Sequence, residues 1–388
     1  MMADYDAIVI GAGSVGVPIA YFLAKEGLAV LCVDGRPSSG QGENKSAIGG
    51  VRATHSDPAK ILLCKESLRI FSSWKGDTGT DIGWKMGGYC FPVFREEEER
   101  TLRSILPVQR KFKLNIDFLS AKEIEKAVPG IQEKGLRGGT LSPEDGQVSP
   151  LLAVESFTNE ARGLGAEFRF GEPVNSLVME GKTVAGIRTP KGEYKAPVTV
   201  NAAGSAATAI CRMAGIDVPV RPDSHEAGIT APVKQFLNPL VVDIRPGPEG
   251  KTSNFYFGQV HGGQFIFCYT PRQPFYGEDR RSTSEFMPTI ARRMAELIPR
   301  LRGLTVRRVW RGTYPMTPDG VAVVGKPSKV QGFYVAIGMC GQGFMLGPGV
   351  GANVASHIAK GRPLIDPEVF ALLSPDRDFT AAKTEKLK

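Results

Sequence analysis

Tyr5 to Asp34 reads YDAIVIGAGSVGVPIAYFLAKEGLAVLCVD. A four-residue apolar run, Ala7–Ile10, suits a buried parallel strand. It leads into Gly11, Gly13 and Gly16, spaced G-x-G-x-x-G. The first glycine permits the tight turn, the second lets backbone approach a pyrophosphate, and the third lets a helix pack closely on the sheet. The spacing predicts a helix from Ser14 to Lys25 whose first N–H groups face a phosphate. A second strand follows at Leu28–Val33, and Asp34 stands at its end, 18 residues beyond Gly16. An acid there accepts hydrogen bonds from ribose hydroxyls and disfavours a 2′-phosphate. The chain therefore begins a β-α-β dinucleotide fold, but NAD, NADP and FAD all use this pattern.

Composition narrows the partners. With 388 residues, 42% of them hydrophobic, the chain can bury a large core and divide into two domains. Residues 8–24 carry no charge. The motif glycines, Pro18 and the acidic flank ADYD still argue against a signal peptide or membrane span and point to the cytoplasm. Six scattered cysteines without C-x-x-C and four histidines without ligand spacing predict neither a disulfide framework nor a metal site. The net charge of +8 is dispersed. Its densest cluster, RRVWR at Arg307–Arg311, alternates like a strand, so no nucleic-acid surface is expected.

Further along come a Gly-rich loop, GQGENKSAIGGVRATHS, and a helix predicted over Pro58–Trp74. A strand at Gly87–Phe94 and a charged helix from Glu96 to Lys113 follow. Next are a helix at Pro150–Leu164, a β-meander through residues 166–204 and short strands from Ala227 to Tyr269. The helix Ser284–Ile298 precedes a late Gly-rich strand–turn–helix at residues 333–360. The long insertion between the first β-α-β unit and that late piece suits a cofactor bound along its whole length.

Six stretches carry a family resemblance over Tyr5 to about Phe379: the glycine triplet with Asp34, KSAIGGVR (residues 45–52), PEDGQVSP (143–150), VNAAG (200–204), YPMTPDGVAVVG (314–325) and GQGFMLGPGVG (341–351). They resemble the FAD-dependent amino acid oxidase and dehydrogenase family of sarcosine, glycine and D-amino acid oxidases. The likeness is greatest to the beta subunits of sarcosine oxidase and dye-linked proline dehydrogenase. The resemblance implies an α/β fold of the glutathione reductase type 2 kind. A discontinuous Rossmann-like FAD-binding domain (1–86, 143–222 and 310–379) would accompany an α+β substrate domain (87–142 and 223–309) with a largely antiparallel sheet. Residues after 379 are expected to be a disordered tail.

By the same resemblance FAD lies along Gly11, Gly13, Ser14, Val15, Gly16, Asp34, Gly35 and Arg36, with Lys45, Ser46 and Ala47 at the pyrophosphate and flavin. Val174 would contact adenine, and Ala203 and Gly204 the pyrophosphate side. Gly338, Gly341, Gln342, Gly343, Phe344 and Met345 would follow the ring. Backbone N–H groups at that helix start favour the negative charge of a reduced flavin. Relatives with covalent FAD use a histidine in the first loop or a cysteine before the YxMT segment. Here the loop reads ENKSA and the second position is Gly312 or Thr313, so FAD is expected to be noncovalent.

Relatives hold a substrate carboxylate through an arginine where this chain has Tyr314 and a lysine where it has Met345. Arg52 remains to take that role, its alternative being a surface arginine paired with Asp57 or a pyrophosphate oxygen. Gln342 replaces a common histidine and can hydrogen-bond but not accept a proton. Tyr256, Tyr269, Tyr314 and His261 are further pocket candidates. The expected activity is oxidation of the CH–NH bond of a small amino acid such as sarcosine, proline, hydroxyproline or dimethylglycine, by hydride transfer to flavin N5 with later hydrolysis of the imine. The stretch Gly262–Thr270 lacks the cation that assists oxygen reduction, so a dye or protein acceptor is expected, and partner subunits are possible. Two alternatives stay open: a 2-hydroxy acid or glycerol 3-phosphate dehydrogenase of the same fold, and a flavin-binding assembly subunit.

Overall fold

The structure is a computed structural model that describes residues 4–247, 250, 252–380, 385 and 387. Ala7–Ile10, apolar on both faces, forms an interior strand of a six-stranded sheet with every side chain buried. Val30–Asp34 and Val198–Asn201 flank it in parallel, and Phe333–Ile337 and Glu167–Phe170 extend the sheet outward. Val323–Gly325 closes one edge antiparallel. The glycine-rich turn uses residues 13–15, so the first helix runs Gly16–Lys25 rather than from Ser14. Leu28 N–H bonds back to Leu23, which delays the second strand to Val30 and brings Asp34 inside it.

An eight-stranded sheet lies beside it, in the order 306–316, 221–230, 265–271, 252–259, 240–243, 89–93, 138–142, 117–119. Only the pairing of Leu240–Asp243 with Tyr89–Val93 is parallel. Strand parity sorts the aromatic residues. Phe255, Phe257, Phe265 and Phe267 enter one apolar cluster beneath the helix Phe286–Leu297. Tyr256 and Cys268 turn to the other face. A two-stranded ribbon, Gly50–Val51 with Gly146–Gln147, joins the two sheets at their boundary.

The late helix Gly343–Lys360 lies against Gly16–Lys25 and Pro58–Thr78. Its glycines permit that approach. A Cβ on Gly347 would stand 1.9 Å from the Ser14 carbonyl oxygen, and one on Gly351 2.8 Å from the Pro18 carbonyl carbon. A Cβ on Gly349 would lie 2.1 Å from the Leu63 carbonyl oxygen. The glycines after Met345 therefore serve helix contact. The charged helix ends at Lys111, two residues earlier than its pattern suggests, because Lys113 turns left-handed with φ 58°.

Candidate active site

One cavity of about 710 Å³ runs along the seam between the sheets. At one end lie Gly11, Gly13, Ser14, Val15, Asp34, Gly35, Arg36 and Val174. Asp34 accepts from Ala12 N–H and Arg36 N–H, both at 2.7 Å, so its carboxylate also pins the glycine turn. Gly11 has φ 104°, and a Cβ there would sit 2.5 Å from the Ala202 carbonyl oxygen. Gly16 stands behind this surface, where its Cβ would be 1.8 Å from the Gly11 carbonyl oxygen. Ala203 and Gly204 form one wall, and Gly341, Gln342, Gly343, Phe344 and Met345 another. The start of the helix Gly343–Lys360 thus faces the cavity, as the turn before Gly16 does. Two helix N-termini on one elongated cavity suit an anionic dinucleotide. Gly338 supports this wall from behind, its φ of 65° letting the chain turn beside Thr317 and Val323.

The loop after Gly40 behaves as the motif suggests at Ser46 and Ala47, which line the cavity. Lys45 does not: the 3-10 turn Glu43–Ser46 points it to solvent and buries Asn44 instead. Strand residues 310–313 rest on this loop. Trp310 Nε1 donates to the Ser46 carbonyl at 2.9 Å, and Thr313 N–H to Glu43 at 2.6 Å. A Cβ on Gly312 would come 2.7 Å from Ser46 Cβ. The loop around Ser46 and the strand at Gly312–Thr313 are therefore neighbours, with Ser46, Gly312 and Thr313 at the cavity.

The far end of the cavity is lined by Arg52, Tyr89, Tyr256 and Tyr314. Arg52 is 5% exposed, so it is no surface arginine. It donates to the Thr54 carbonyl and, at 3.0 Å, to the Leu387 carbonyl, with its guanidinium 5.6 Å from the centre of the Phe91 ring. Asp57 instead caps the helix Pro58–Thr78 through Lys60 N–H. Beside Arg52, Asp145 of PEDGQVSP accepts from Thr54 Oγ1 and from Ala53 N–H. Burial outweighs these bonds and pushes its carboxyl up to about 6.

Tail residues Glu385 and Leu387 are buried here, whereas 381–384, 386 and 388 lie outside the described residues. Glu385 contacts His55 Nδ1 at 2.9 Å and Lys60 Nζ at 3.8 Å. Burial, aided by Arg52, lowers His55 to about 4, whereas His55, Lys60 and Arg52 outweigh burial at Glu385 and lower its carboxyl. The two directions agree on a neutral imidazole donating to an ionised carboxylate.

Tyr314 packs its ring on the Gly341 turn, where a Cβ would meet it at 2.2 Å. Its hydroxyl lies 3.1 Å from that of Tyr256. Burial raises both phenols above their ordinary range, so both stay neutral hydrogen-bonding groups. The Gln342 side-chain oxygen is buried without a partner among the described residues. Tyr269 is not part of this surface. It shares the parity of Phe265 and Phe267 and packs on Phe286 at 5.1 Å. His261 is exposed in the turn between two strands.

The cavity also holds Asp223 and His225, which sequence reasoning missed because it began the strands at Ala227. The strand runs Arg221–Thr230, and period two in RPDSHEAG puts Asp223 and His225 on one face. The His225 ring lies 4.0 Å from that of Tyr314.

The glycine cradles, the two helix starts and the volume of the cavity fit a flavin dinucleotide. Comparison with known proteins agrees. The family model described as FAD dependent oxidoreductase (DAO) matches residues 6–357. L-proline dehydrogenase of P. horikoshii has a solved structure that superposes with a TM-score of 0.90 at 29% identity, covering 99% of this chain and 100% of that one. Mitochondrial dimethylglycine dehydrogenase of Homo sapiens is 23% identical over 386 residues, 93% of this chain but 43% of that protein. This chain thus spans less than half of that relative. Hydrogen cyanide synthase subunit HcnC of Pseudomonas aeruginosa is 23% identical, covering 87% of this chain and 88% of the subunit. The chain belongs to the FAD dependent oxidoreductase (DAO) family.

Proposed function

We propose that this protein oxidises the carbon–nitrogen bond of a small amino acid, N-alkylated or cyclic, with noncovalently held FAD. One observation carries the reading: a single cavity joins a dinucleotide cradle at Gly11 and Asp34 to a buried arginine and two neutral phenols. Bound FAD supplies a hydride acceptor for the substrate carbon. Arg52 binds the substrate carboxylate, since a planar guanidinium grips both oxygens and fixes the α-carbon. Tyr256 and Tyr314 bound the pocket opposite, and Gln342 offers a hydrogen bond at the helix start. The names of the proline and dimethylglycine dehydrogenases support an amine substrate, and that of HcnC supports work alongside partner subunits. No arginine or lysine lies in Gly262–Thr270, which favours a dye or protein acceptor over oxygen.

Anaerobic titration of the FAD-loaded protein tests this. Sarcosine, proline, hydroxyproline or dimethylglycine should bleach the flavin, and 2-hydroxyglutarate and glycerol 3-phosphate should not. Bleaching by the hydroxy compounds alone would overturn the reading.

A further inference from the structure

Arg52 meets the cavity at the end of a long side chain, and a guanidinium grips a carboxylate through two parallel bonds only when its plane is fixed. No carboxylate among the described residues makes an ion pair with it. What fixes it is the Thr54 carbonyl, the Leu387 carbonyl at 3.0 Å and the ring of Phe91. Neutral carbonyls orient the guanidinium without cancelling its charge. Of the five N–H groups of an arginine, two are used in this way and the others stay open to a ligand.

The Leu387 carbonyl is itself placed by Glu385. Oε1 of Glu385 accepts from Leu387 N–H at 2.7 Å and from Ser56 Oγ at 3.0 Å. Oε2 faces His55 Nδ1 at 2.9 Å and Lys60 Nζ at 3.8 Å. The Leu387 side chain is buried in the cluster of Tyr89, Phe91, Leu240 and Val242. One carboxylate thus anchors the residue whose carbonyl meets Arg52.

The same carboxylate governs Lys60. That residue is 2% exposed and lines the cavity with Arg52, and its ion-pair partner among the described residues is Glu385. With the Glu385 charge removed, a buried ammonium competes with Arg52 for any anion that enters. A point charge attracts a carboxylate without setting its plane, so the α-carbon is misdirected.

We propose that Glu385, acting through the Leu387 carbonyl, positions Arg52 for the substrate carboxylate and withholds Lys60 from it. The inference rests on the assignment of that carboxylate to Arg52 in the proposed function. Glu385 touches neither substrate nor flavin in this role, and it is a positioning residue.

The test uses the FAD-loaded full chain and two ligands without an amine, cyclopentanecarboxylate and its neutral amide, followed by the shift each causes in the visible absorbance of bound flavin. Wild type should bind the acid more tightly than the amide. Glu385→Gln should lose roughly tenfold in affinity for the acid, the lower end of what a charge-assisted contact gives, and keep its affinity for the amide. Glu385→Asp, which retains the charge, should recover part of the preference. In an Arg52→Gln background Glu385→Gln should change the acid-to-amide ratio less than twofold, because its effect runs through the guanidinium. Leu387→Ala, which loosens the carbonyl and leaves the Glu385 charge, shifts the ratio in the same direction by less and serves if Glu385→Gln does not fold.

Equal weakening of acid and amide would reduce Glu385 to a packing role, and tighter binding of the acid would make Leu387 a competitor of the substrate; either overturns the proposal. So does the same loss in the Arg52→Gln background. If wild type shows no preference for the acid, it is the carboxylate role of Arg52 in the proposed function that fails.

Discussion

Gly347→Ala puts the helix contact at the cavity under direct strain. Its new Cβ would stand 1.9 Å from the Ser14 carbonyl oxygen, a backbone atom that cannot rotate away. Ordinary contact needs more than 3 Å, so the helices Gly343–Lys360 and Gly16–Lys25 have to part by over 1 Å. Overpacking of this kind costs about 1–3 kcal/mol, and a rigid neighbour puts it at the upper end. Alanine returns up to about 1 kcal/mol through helix propensity, so the net loss is about 2 kcal/mol. Ser14 lines the cavity; if it holds the pyrophosphate as proposed, displacing it would lose one or two hydrogen bonds, about 1.5–3 kcal/mol or 10- to 100-fold in FAD affinity. Gly76→Ala is the control. That glycine lies in the exposed last turns of Pro58–Thr78 with nothing within 4 Å, so alanine should stabilise by about 0.5–1 kcal/mol. Urea denaturation of the apoproteins and FAD titration read both quantities. If Gly347→Ala gains stability as Gly76→Ala does and binds FAD like wild type, the reasoning is wrong.

Acid precipitation should release all yellow colour as free FAD, since neither Glu43–Ala47 nor Gly312–Thr313 offers histidine or cysteine; colour in the pellet would contradict this. Asp34→Ala should weaken FAD binding by about 1.5–3 kcal/mol and loosen the Gly11 turn, without slowing flavin reduction in the fraction that stays loaded; equilibrium dialysis and stopped-flow on that fraction check it. Arg52→Lys should weaken substrate binding and slow flavin reduction while FAD occupancy holds; loss of FAD instead would assign Arg52 to the cofactor. His55, lowered to about 4 from an ordinary 6.5, contributes stability that is full above pH 6.5 and lost as pH falls through 4. That is about 3 kcal/mol, so His55→Gln should show a shallower acid loss in that window by thermal melts, and parallel curves would refute it.

The dinucleotide half was legible because its constraints are local. Gly11 and Gly16 are glycine for contacts within a few residues or with the end of one adjacent strand, and Asp34 closes the same unit. Tyr269 could have been placed too, since FIFCYT gives it the parity of the phenylalanines. Asp223 and His225 were hidden by chemistry rather than distance: RPDSHE has a proline as its second residue and no apolar alternation, so nothing marked it as strand. The stripe in LGPGVG reads as a loop until a second helix lies against it. Lys45 shows the limit of a loop motif, which gives proximity to a cavity but not the direction of each side chain.

The strand order of the first sheet also has a consequence in time. Ala7–Ile10 pairs on one side with Val30–Asp34, close in sequence, and on the other with Val198–Asn201, about 190 residues later. At 5–20 residues per second a ribosome needs roughly 10–40 s to deliver that second neighbour. Throughout, a fully apolar strand has one open hydrogen-bonding edge, the state in which chains associate wrongly. The cradle waits longer still, because Gly341–Met345 follow some 140 residues after Val198. Cofactor loading is therefore among the last events in this protein's birth, and its yield in a cell should depend on how well chaperones cover that first edge.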